Sequence, residues 1–563
     1  MKSSLLLSVL SIVSGLVEAG PTHSPKAYIR NGTVTGVYNR QWHQDFFLGI
    51  PYAEPPTGNR RFRPPEYIKT KRNFQATTRG KFCWGYRGDQ WEYPQSEDCL
   101  TLNVIRPAGI HPGRKLPVAI FIHGGGFTIG SAHDPRYNMT FLVDQSVKEG
   151  TPIIGIGINY RLGALGWIAS RQVAGTKNLN LGLKDQRVAM QWVQENIRAF
   201  GGDPRKVTLF GASAGALSIG LHQLAYNGRD DKLFSGVMMI SGSPIFFRPS
   251  PFPETFQANY EYLIAQTGCA EREDSLQCLR EKPIEQLNLA INTTLGQFTT
   301  AVVDGEMVAG IPSQNLKHGR FVKVPSMVAS STDEGAGYAR MVQRYDTDAQ
   351  VRAYVEGYTQ YKPQMIDRLM ELYPSTTSIP DADNFTQPDA GTAQYGDQYH
   401  RLAAILGDIW FIAGKRYYAR QLAAQNVPVW SVRTRVVPNG YPDWLGSVHS
   451  TSLPFMFYNL NTTSFDIGAG VVKVVPDPMG GPNAQGFKDL ANFSSRSLVR
   501  FFARGDPAAG RKPNDVNWVK YGQGGGKNQI VWDIGPGGVY IEQDTFREDG
   551  IKHMMDHFLQ SSF

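Results

Sequence analysis

The chain has 563 residues, 41% of them hydrophobic, and a formal charge of +8. That is ample for a large buried core, and large α/β enzymes commonly run to this length as one unit. Basic residues are scattered, with no run of five or more and no interleaved aromatics, which argues against a nucleic-acid partner. No stretch of eighteen apolar residues follows the N-terminus, so the mature chain is not expected to span a membrane.

The first residues have another character. Lys2 supplies a positive start, Leu5 to Val17 is mostly apolar, and Val17-Glu18-Ala19 ends on a small residue. This is the layout of a secretory signal peptide, so residues 1–19 are expected to be removed and the mature, extracellular protein to be one domain over 20–563. Six N-x-Ser/Thr sequons, at Asn31, Asn138, Asn292, Asn384, Asn461 and Asn492, fit a glycoprotein. The four cysteines Cys83, Cys99, Cys269 and Cys278 permit three pairings, between which spacing cannot choose. An oxidising compartment favours disulfides over metal ligation, and no histidine cluster accompanies them.

Short β-branched runs alternate with helical stretches, the pattern of a mainly parallel sheet covered by helices. In chain order, Val118 to Ile122 and Ile153 to Asn159 read as buried strands, apolar on both faces. Leu183 to Phe200 reads as a helix, with Ala189, Trp192, Val193, Ile197 and Phe200 at helical spacing, stopped by Gly201-Gly202-Asp203-Pro204. Lys206 to Phe210, Val237 to Ile240 and Val324 to Ala329 are further strands. Residues near 345–425 then look largely helical, with Gln350 to Gly357 and His400 to Gln425 clearest. They are expected to form an insertion or cap before a strand over Val427 to Val437.

Between the strand ending at Phe210 and an apolar helix over Ala214 to Leu224 lies Gly211-Ala212-Ser213-Ala214-Gly215. A serine on a tight strand-turn-helix, with glycines allowing close backbone approach, is a nucleophile elbow and points to an α/β-hydrolase fold. His123-Gly124-Gly125-Gly126-Phe127 follows directly after Val118 to Ile122. Acyl transfer creates an oxyanion that needs preorganised N–H donors about 2.7–3.1 Å away, and a glycine run can supply them unobstructed. Gly125, Gly126 and Ala214 are the expected donors.

Serine becomes a nucleophile when an imidazole accepts its proton and an acid orients the imidazole, in the chain order Ser, acid, His. Downstream of Ser213, His553 and His557 fall in a C-terminal amphipathic helix, and His400 opens another helical stretch. His318 leaves no room for the acid. His449, in the loop Gly446-Ser447-Val448-His449-Ser450, is the best base. Asp333 and Glu334 both follow the strand Val324 to Ala329, and position does not separate them.

Several motifs together resemble the type-B carboxylesterase/lipase family, which includes cholinesterases, mammalian carboxylesterases and secreted fungal lipases. They are Phe47-Leu48-Gly49-Ile50-Pro51-Tyr52-Ala53, Ser96-Glu97-Asp98-Cys99-Leu100, Asn159-Tyr160-Arg161-Leu162-Gly163, the glycine run and the elbow. The likeness extends from roughly Pro25 to His557. It implies that the acid is Glu334, the glutamate before glycine in the D-E-G motif. It also implies disulfides Cys83–Cys99 and Cys269–Cys278, and ion pairs Arg61–Glu97 and Arg161–Asp185. Its chemistry needs no metal or organic cofactor, and its substrate would be a small-molecule or lipid ester.

Two departures bear on the substrate. Ala212 stands where the family often has glutamate, which argues against a cationic choline ester, although Trp84 and Trp91 could offer a cation–π face or pack the rim of a gorge. Only fifteen residues separate Cys83 from Cys99, where fungal lipases of the family carry a longer flap. The expected enzyme is therefore a carboxylesterase for short to medium acyl chains. The alternatives are a triacylglycerol lipase and a non-catalytic adhesion module that keeps only the fold.

Overall fold

A computed structural model describes residues 24–560 apart from 87–89, 91–92, 246–251, 295, 342, 360, 376–388, 461–476, 514 and 536. The expected signal peptide, Trp91, Asn384 and Asn461 lie outside the described residues.

One sheet of eleven strands organises the described residues. In chain order these are β1 (Val37–Asn39), β2 (Gln44–Pro51), β3 (Thr101–Pro107), β4 (Leu116–Ile122), β5 (Ile154–Ile158), β6 (Gly202–Ala212), β7 (Gly236–Ile240), β8 (Ser326–Ser331), β9 (Val429–Thr434), β10 (Asn528–Trp532) and β11 (Tyr540–Gln543). They lie side by side in the order β11-β10-β9-β8-β7-β6-β4-β5-β3-β2-β1. From β5 through β10 neighbouring strands are parallel, and the outer pairs β5–β3, β3–β2, β2–β1 and β10–β11 are antiparallel.

Parallel strands need covering on both faces, and their side chains alternate between two apolar clusters. Val118, Ile120 and Ile122 enter one cluster, while Ala119 and Phe121 enter the other. Helices α1 (Thr140–Lys148) and α4 (Ala484–Arg504) cover the second cluster. Helices α2 (Leu181–Asn196) and α3 (Ala214–Gly228) cover the first. Dihedrals in α3 leave the helical region from Ala225 to Asn227, so its regular part ends at Leu224.

The region expected to be helical contains Asp348–Thr359, Pro363–Leu372, Ala390–Tyr395, Tyr399–Gly407 and Ala413–Ala424. A π-helical turn, Asp408–Ile412, interrupts the segment read from sequence as one continuous helix. Such turns shift helical phase and often lie at functional sites. Here the buried Asp408 is held by Tyr373 Oη (2.5 Å) and by Arg547 (2.7 Å).

Cys83–Cys99 and Cys269–Cys278 are both disulfides. Arg61 pairs with Glu97, and Arg161 with Asp185, each at 2.6 Å and nearly enclosed. Arg61 Nη1 also donates to the carbonyls of Leu279, Arg280 and Lys282 around the end of the helix Ser275–Glu281. A guanidinium has enough donors to join two segments that share no strand.

Two buried imidazoles beside the glycine run are held neutral. Burial lowers His123 to about 4. His133 falls to about 3 through burial, with Arg79 and His123 adding to the shift. Unfolded imidazoles take up protons below about pH 6.5, so the unfolded chain binds more protons than the fold in the interval below. The stability contributed above about pH 6.5 is therefore lost as pH falls through 4 toward 3. His133→Gln is expected to melt lower than wild type at pH 7 but to lose less on acidification to pH 4.5. A melting-temperature slope identical to wild type would exclude His133 as a contributor.

Candidate active site

Four segments meet at the carboxyl edge of the parallel strands, where ligands bind in open α/β sheets. Ser213 follows β6, the glycine run follows β4, Asp333 and Glu334 follow β8, and the loop carrying His449 follows β9. Adjacent strands β8 and β9 thus deliver a carboxylate and an imidazole side by side. The elbow and the glycine run come from adjacent β6 and β4.

Ser213 has φ 55° and ψ −122°, an uncommon conformation for a residue with a side chain. Tight packing behind it explains the flanking glycines. A Cβ on Gly211 would lie 2.5 Å from the Ile122 carbonyl oxygen, and one on Gly215 only 2.0 Å from the same atom. Gly124 is equally confined, 2.7 Å from the Ala212 carbonyl and 3.0 Å from Ser213 Cβ. The elbow and the glycine run are therefore pressed together with no room for side chains between them.

Gly125 and Gly126 have φ 102° and 60°, and Ala214 opens α3. Among the described residues no acceptor takes the N–H of any of the three. Three free donors beside a helix N-terminus form a ready environment for developing negative charge.

Glu334 is fully buried, with two different partners. One oxygen accepts from His449 Nδ1 at 2.6 Å and the other from the Ser331 backbone N–H at 2.7 Å. The far nitrogen of His449, Nε2, is buried with no partner. The imidazole is thus oriented through one nitrogen and left able to accept a proton at the other. Phe411, from the π-turn, lies 4.4 Å from the His449 ring between centroids, and Tyr338 lies 5.5 Å away. Ser241, just after β7, links the two halves: its hydroxyl accepts from Ser450 N at 3.4 Å. Next to it, a Cβ on Gly242 would touch the Ser213 carbonyl at 2.8 Å.

The two adjacent carboxylates are separated by geometry. Asp333 does not face His449; its Oδ2 accepts from Ser447 N at 2.9 Å, and its own N–H donates to Ser447 O at 2.9 Å. Asp333 therefore clamps the loop that Glu334 engages. Glycine follows Glu334 because a Cβ on Gly335 would lie 2.1 Å from the Ala403 carbonyl, in the insertion helix Tyr399–Gly407. The other downstream histidines are engaged elsewhere. His400 binds Asp389, His318 bonds within its own helix, His553 reaches Met365 O, and His557 packs on Tyr361.

Ala212 ends β6, directly before Ser213. Its side chain is 1% exposed and belongs to the apolar cluster on the α4 face, with Met238, Ile240 and Phe457. The alternation of β6 turns it away from the α3 face. Trp84 is half-buried in a narrow crevice with Pro56, Leu162, Leu165 and the Arg61–Glu97 pair.

Sequence reasoning missed the clamp at Asp333 and the ring of Phe411 on the imidazole. The first was signalled only by an acid standing next to another acid. The second depends on the extra residue of the π-turn, which no helical periodicity reveals.

This sheet, with an elbow serine, a glycine run and an imidazole–carboxylate pair along one edge, defines an α/β-hydrolase. A profile of the carboxylesterase family matches residues 23–547, and the chain belongs to that family. Lipase 4 of Diutina rugosa is 31% identical over 98% of each chain. Secreted lipase 1 of Botryotinia fuckeliana (strain B05.10) is 32% identical over 85% of this chain and 84% of its own. The crystal structure of Aspergillus niger EstA superposes with a TM-score of 0.79 at 25% identity, covering 96% of this chain and 99% of that one. The protein is a carboxylic-ester hydrolase.

Removing the clamp should loosen the imidazole loop. Asp333→Ala is expected to lower kcat about tenfold, because small displacements of a catalytic group are costly, while Asp333→Asn, which keeps an acceptor oxygen, retains most activity. Steady-state rates on p-nitrophenyl butyrate decide this, and full kcat in the alanine variant would refute the clamp.

Proposed function

We propose that the protein is a secreted serine carboxylesterase acting through an acyl-enzyme on Ser213, with His449 as base and Glu334 as its orienting acid. The observation that carries this is the buried Glu334–His449 bond of 2.6 Å beside an elbow serine and three unoccupied N–H donors. Ser213 Oγ bonds to the ester carbonyl carbon as its proton passes to His449 Nε2. The carbonyl electron pair moves to oxygen, which the N–H groups of Gly125, Gly126 and Ala214 stabilise. Collapse expels the alkoxide, which takes the proton from His449, and a water deprotonated by the same imidazole releases the acid. Glu334 stays ionised and holds the imidazole in one tautomer.

Short to medium acyl chains are the preferred substrates. In support, the segment between Cys83 and Cys99 is short, and its described residues are bonded inward: Gly85 N to Gln95, Tyr86 Oη to Asn288, and Gln90 to Gly130. A hinged flap over a lipid-binding site needs a segment free to swing. The names of the fungal relatives favour a second reading, a lipase for long-chain lipid esters. Secretion is supported by the leader-like residues 1–19 and by the relative named as secreted. Among the described sequons Asn292 is the exposed one and the preferred glycosylation site.

Ser213→Ala is expected to abolish ester turnover, and Glu334→Gln to reduce kcat by about 10³–10⁴ through the wrong imidazole tautomer. Turnover by Ser213→Ala at the wild-type rate would refute the mechanism, and an inert wild type would favour the adhesion reading. Across p-nitrophenyl esters from acetyl to palmitoyl, kcat/KM should peak on short to medium chains. A maximum on palmitate, with a rate jump on emulsified lipid, would establish the lipase instead.

A further inference from the structure

The turn carrying Gly125 and Gly126 has little local reason to hold its shape. Both glycines and Phe127 have positive φ, and internal closure comes from Gly125 O, which accepts from Thr128 N at 3.0 Å and Ile129 N at 3.1 Å. Within the turn, His123 Nδ1 also lies 2.9 Å from Gly124 O and Thr128 Oγ1 donates to Gly125 O at 3.3 Å, and further restraint comes from outside. Tyr160 Oη donates to His123 O at 2.8 Å, and Gly163 N to Phe127 O at 2.7 Å. Tyr86 N donates to Thr128 O at 3.0 Å, and Gly130 N donates to Gln90 Oε1 at 2.8 Å. The last two restraints come from the segment between Cys83 and Cys99.

Gln90 is 1% exposed and both ends of its amide are used. Oε1 accepts from Gly130 N, while Nε2 donates to Cys83 O at 3.0 Å. A backbone N–H can only donate and a carbonyl can only accept, so the amide has a single orientation. The side chain runs across Gly85, where a Cβ would lie 2.5 Å from Gln90 Cγ and 2.6 Å from Cδ. Gln95 secures the arrangement, donating to Gln90 O at 3.2 Å and accepting from Gly85 N at 2.8 Å. Glycine at 85 and glutamine at 90 and 95 thus form one device whose output is a fixed Gly130.

We propose that Gln90 is a positioning residue for acyl transfer: by holding the exit of the oxyanion turn it keeps the Gly125 and Gly126 N–H groups aimed at the reaction centre. The inference rests on the Ser213 reading above. Donors contribute to rate only when placed where charge develops, so a loosened turn still binds ester but stabilises the oxyanion poorly. A neutral side chain with no contact to substrate would then control kcat rather than KM.

The test compares wild type with Gln90→Met, which keeps length but cannot hydrogen-bond, and with Gly85→Ala, which displaces the amide while leaving Gln90 in place. For each, kcat and KM on p-nitrophenyl butyrate are normalised to active sites titrated with an organophosphate. Inhibition constants are measured for an alkyl trifluoromethyl ketone and for the alcohol of matching shape. The ketone carbon bonds to Ser213 Oγ, the hydroxyl proton goes to His449, and the new oxyanion occupies the donors; the alcohol reports ground-state binding. In both variants kcat per titrated site is expected to fall about 10- to 100-fold with KM within about twofold. The ketone constant should rise in proportion, and the alcohol constant should not move. Unchanged kcat per site in both variants, a rise in KM alone, or a loss confined to the fraction of titratable sites would overturn the proposal. If wild type itself escaped the ketone, or Ser213→Ala kept full turnover, the acyl-transfer reading would fall and this inference with it. Ordinary ketone inhibition of wild type and variants alike would sink only the role of Gln90.

Discussion

The Ile122 carbonyl oxygen sits where side chains on Gly211 and Gly215 would have to be, 2.5 and 2.0 Å from their missing Cβ atoms. This contact seats the end of β6 against the end of β4, and the site depends on it. With the two strand ends pressed together, Ser213 is forced into a strained turn, and Gly124 meets Ser213 Cβ from the other side. Ser213 and Gly124 are thereby fixed relative to each other by backbone packing.

The imidazole side is built differently. It depends on hydrogen bonds between loops, each anchored in a neighbouring strand. Glu334 is held by Ser331 N and in turn holds His449, while Asp333 pins the same loop at Ser447. A buried carboxylate is costly unless its lone pairs are satisfied, and here both oxygens of Glu334 are bonded. The insertion contributes from outside the sheet. Its helix Tyr399–Gly407 packs on Gly335, and its π-turn presents Phe411 to the imidazole. Packing on one half and bonded loops on the other suit the roles proposed for them, a base that gains and loses a proton and donors that stay still.

The disulfide segment joins these parts. Arg61 ties Glu97 to the helix that carries Cys278, and Tyr86 and Gln90 tie the loop begun by Cys83 to the oxyanion turn. The Cys83–Cys99 cross-link therefore closes the segment that is bonded to the glycine-run turn. The same inward bonding reaches the glycine-run turn, through Tyr86 N to Thr128 O and Gly130 N to Gln90.

Much of this was legible in the amino-acid order. Local patterns encoded the strands at 116–122, 154–158 and 236–240, the helix from Leu181, and the elbow, because each is a short-range consequence of apolar alternation, helical spacing or glycine sterics. The glycine run could be read for the same reason. Assigning the acid needed a family likeness, since adjacent residues on one loop differ in role only through the direction in which the backbone presents them. Tertiary structure alone decided that Ala212 is buried beneath the sheet, that Asp333 grips Ser447, that a π-turn delivers Phe411, and that Gln90 crosses Gly85 to reach Gly130. These are contacts between residues from about 40 to more than 100 positions apart or consequences of strand phase. Sequence spacing carries no distance information at that range, so only packing could settle them.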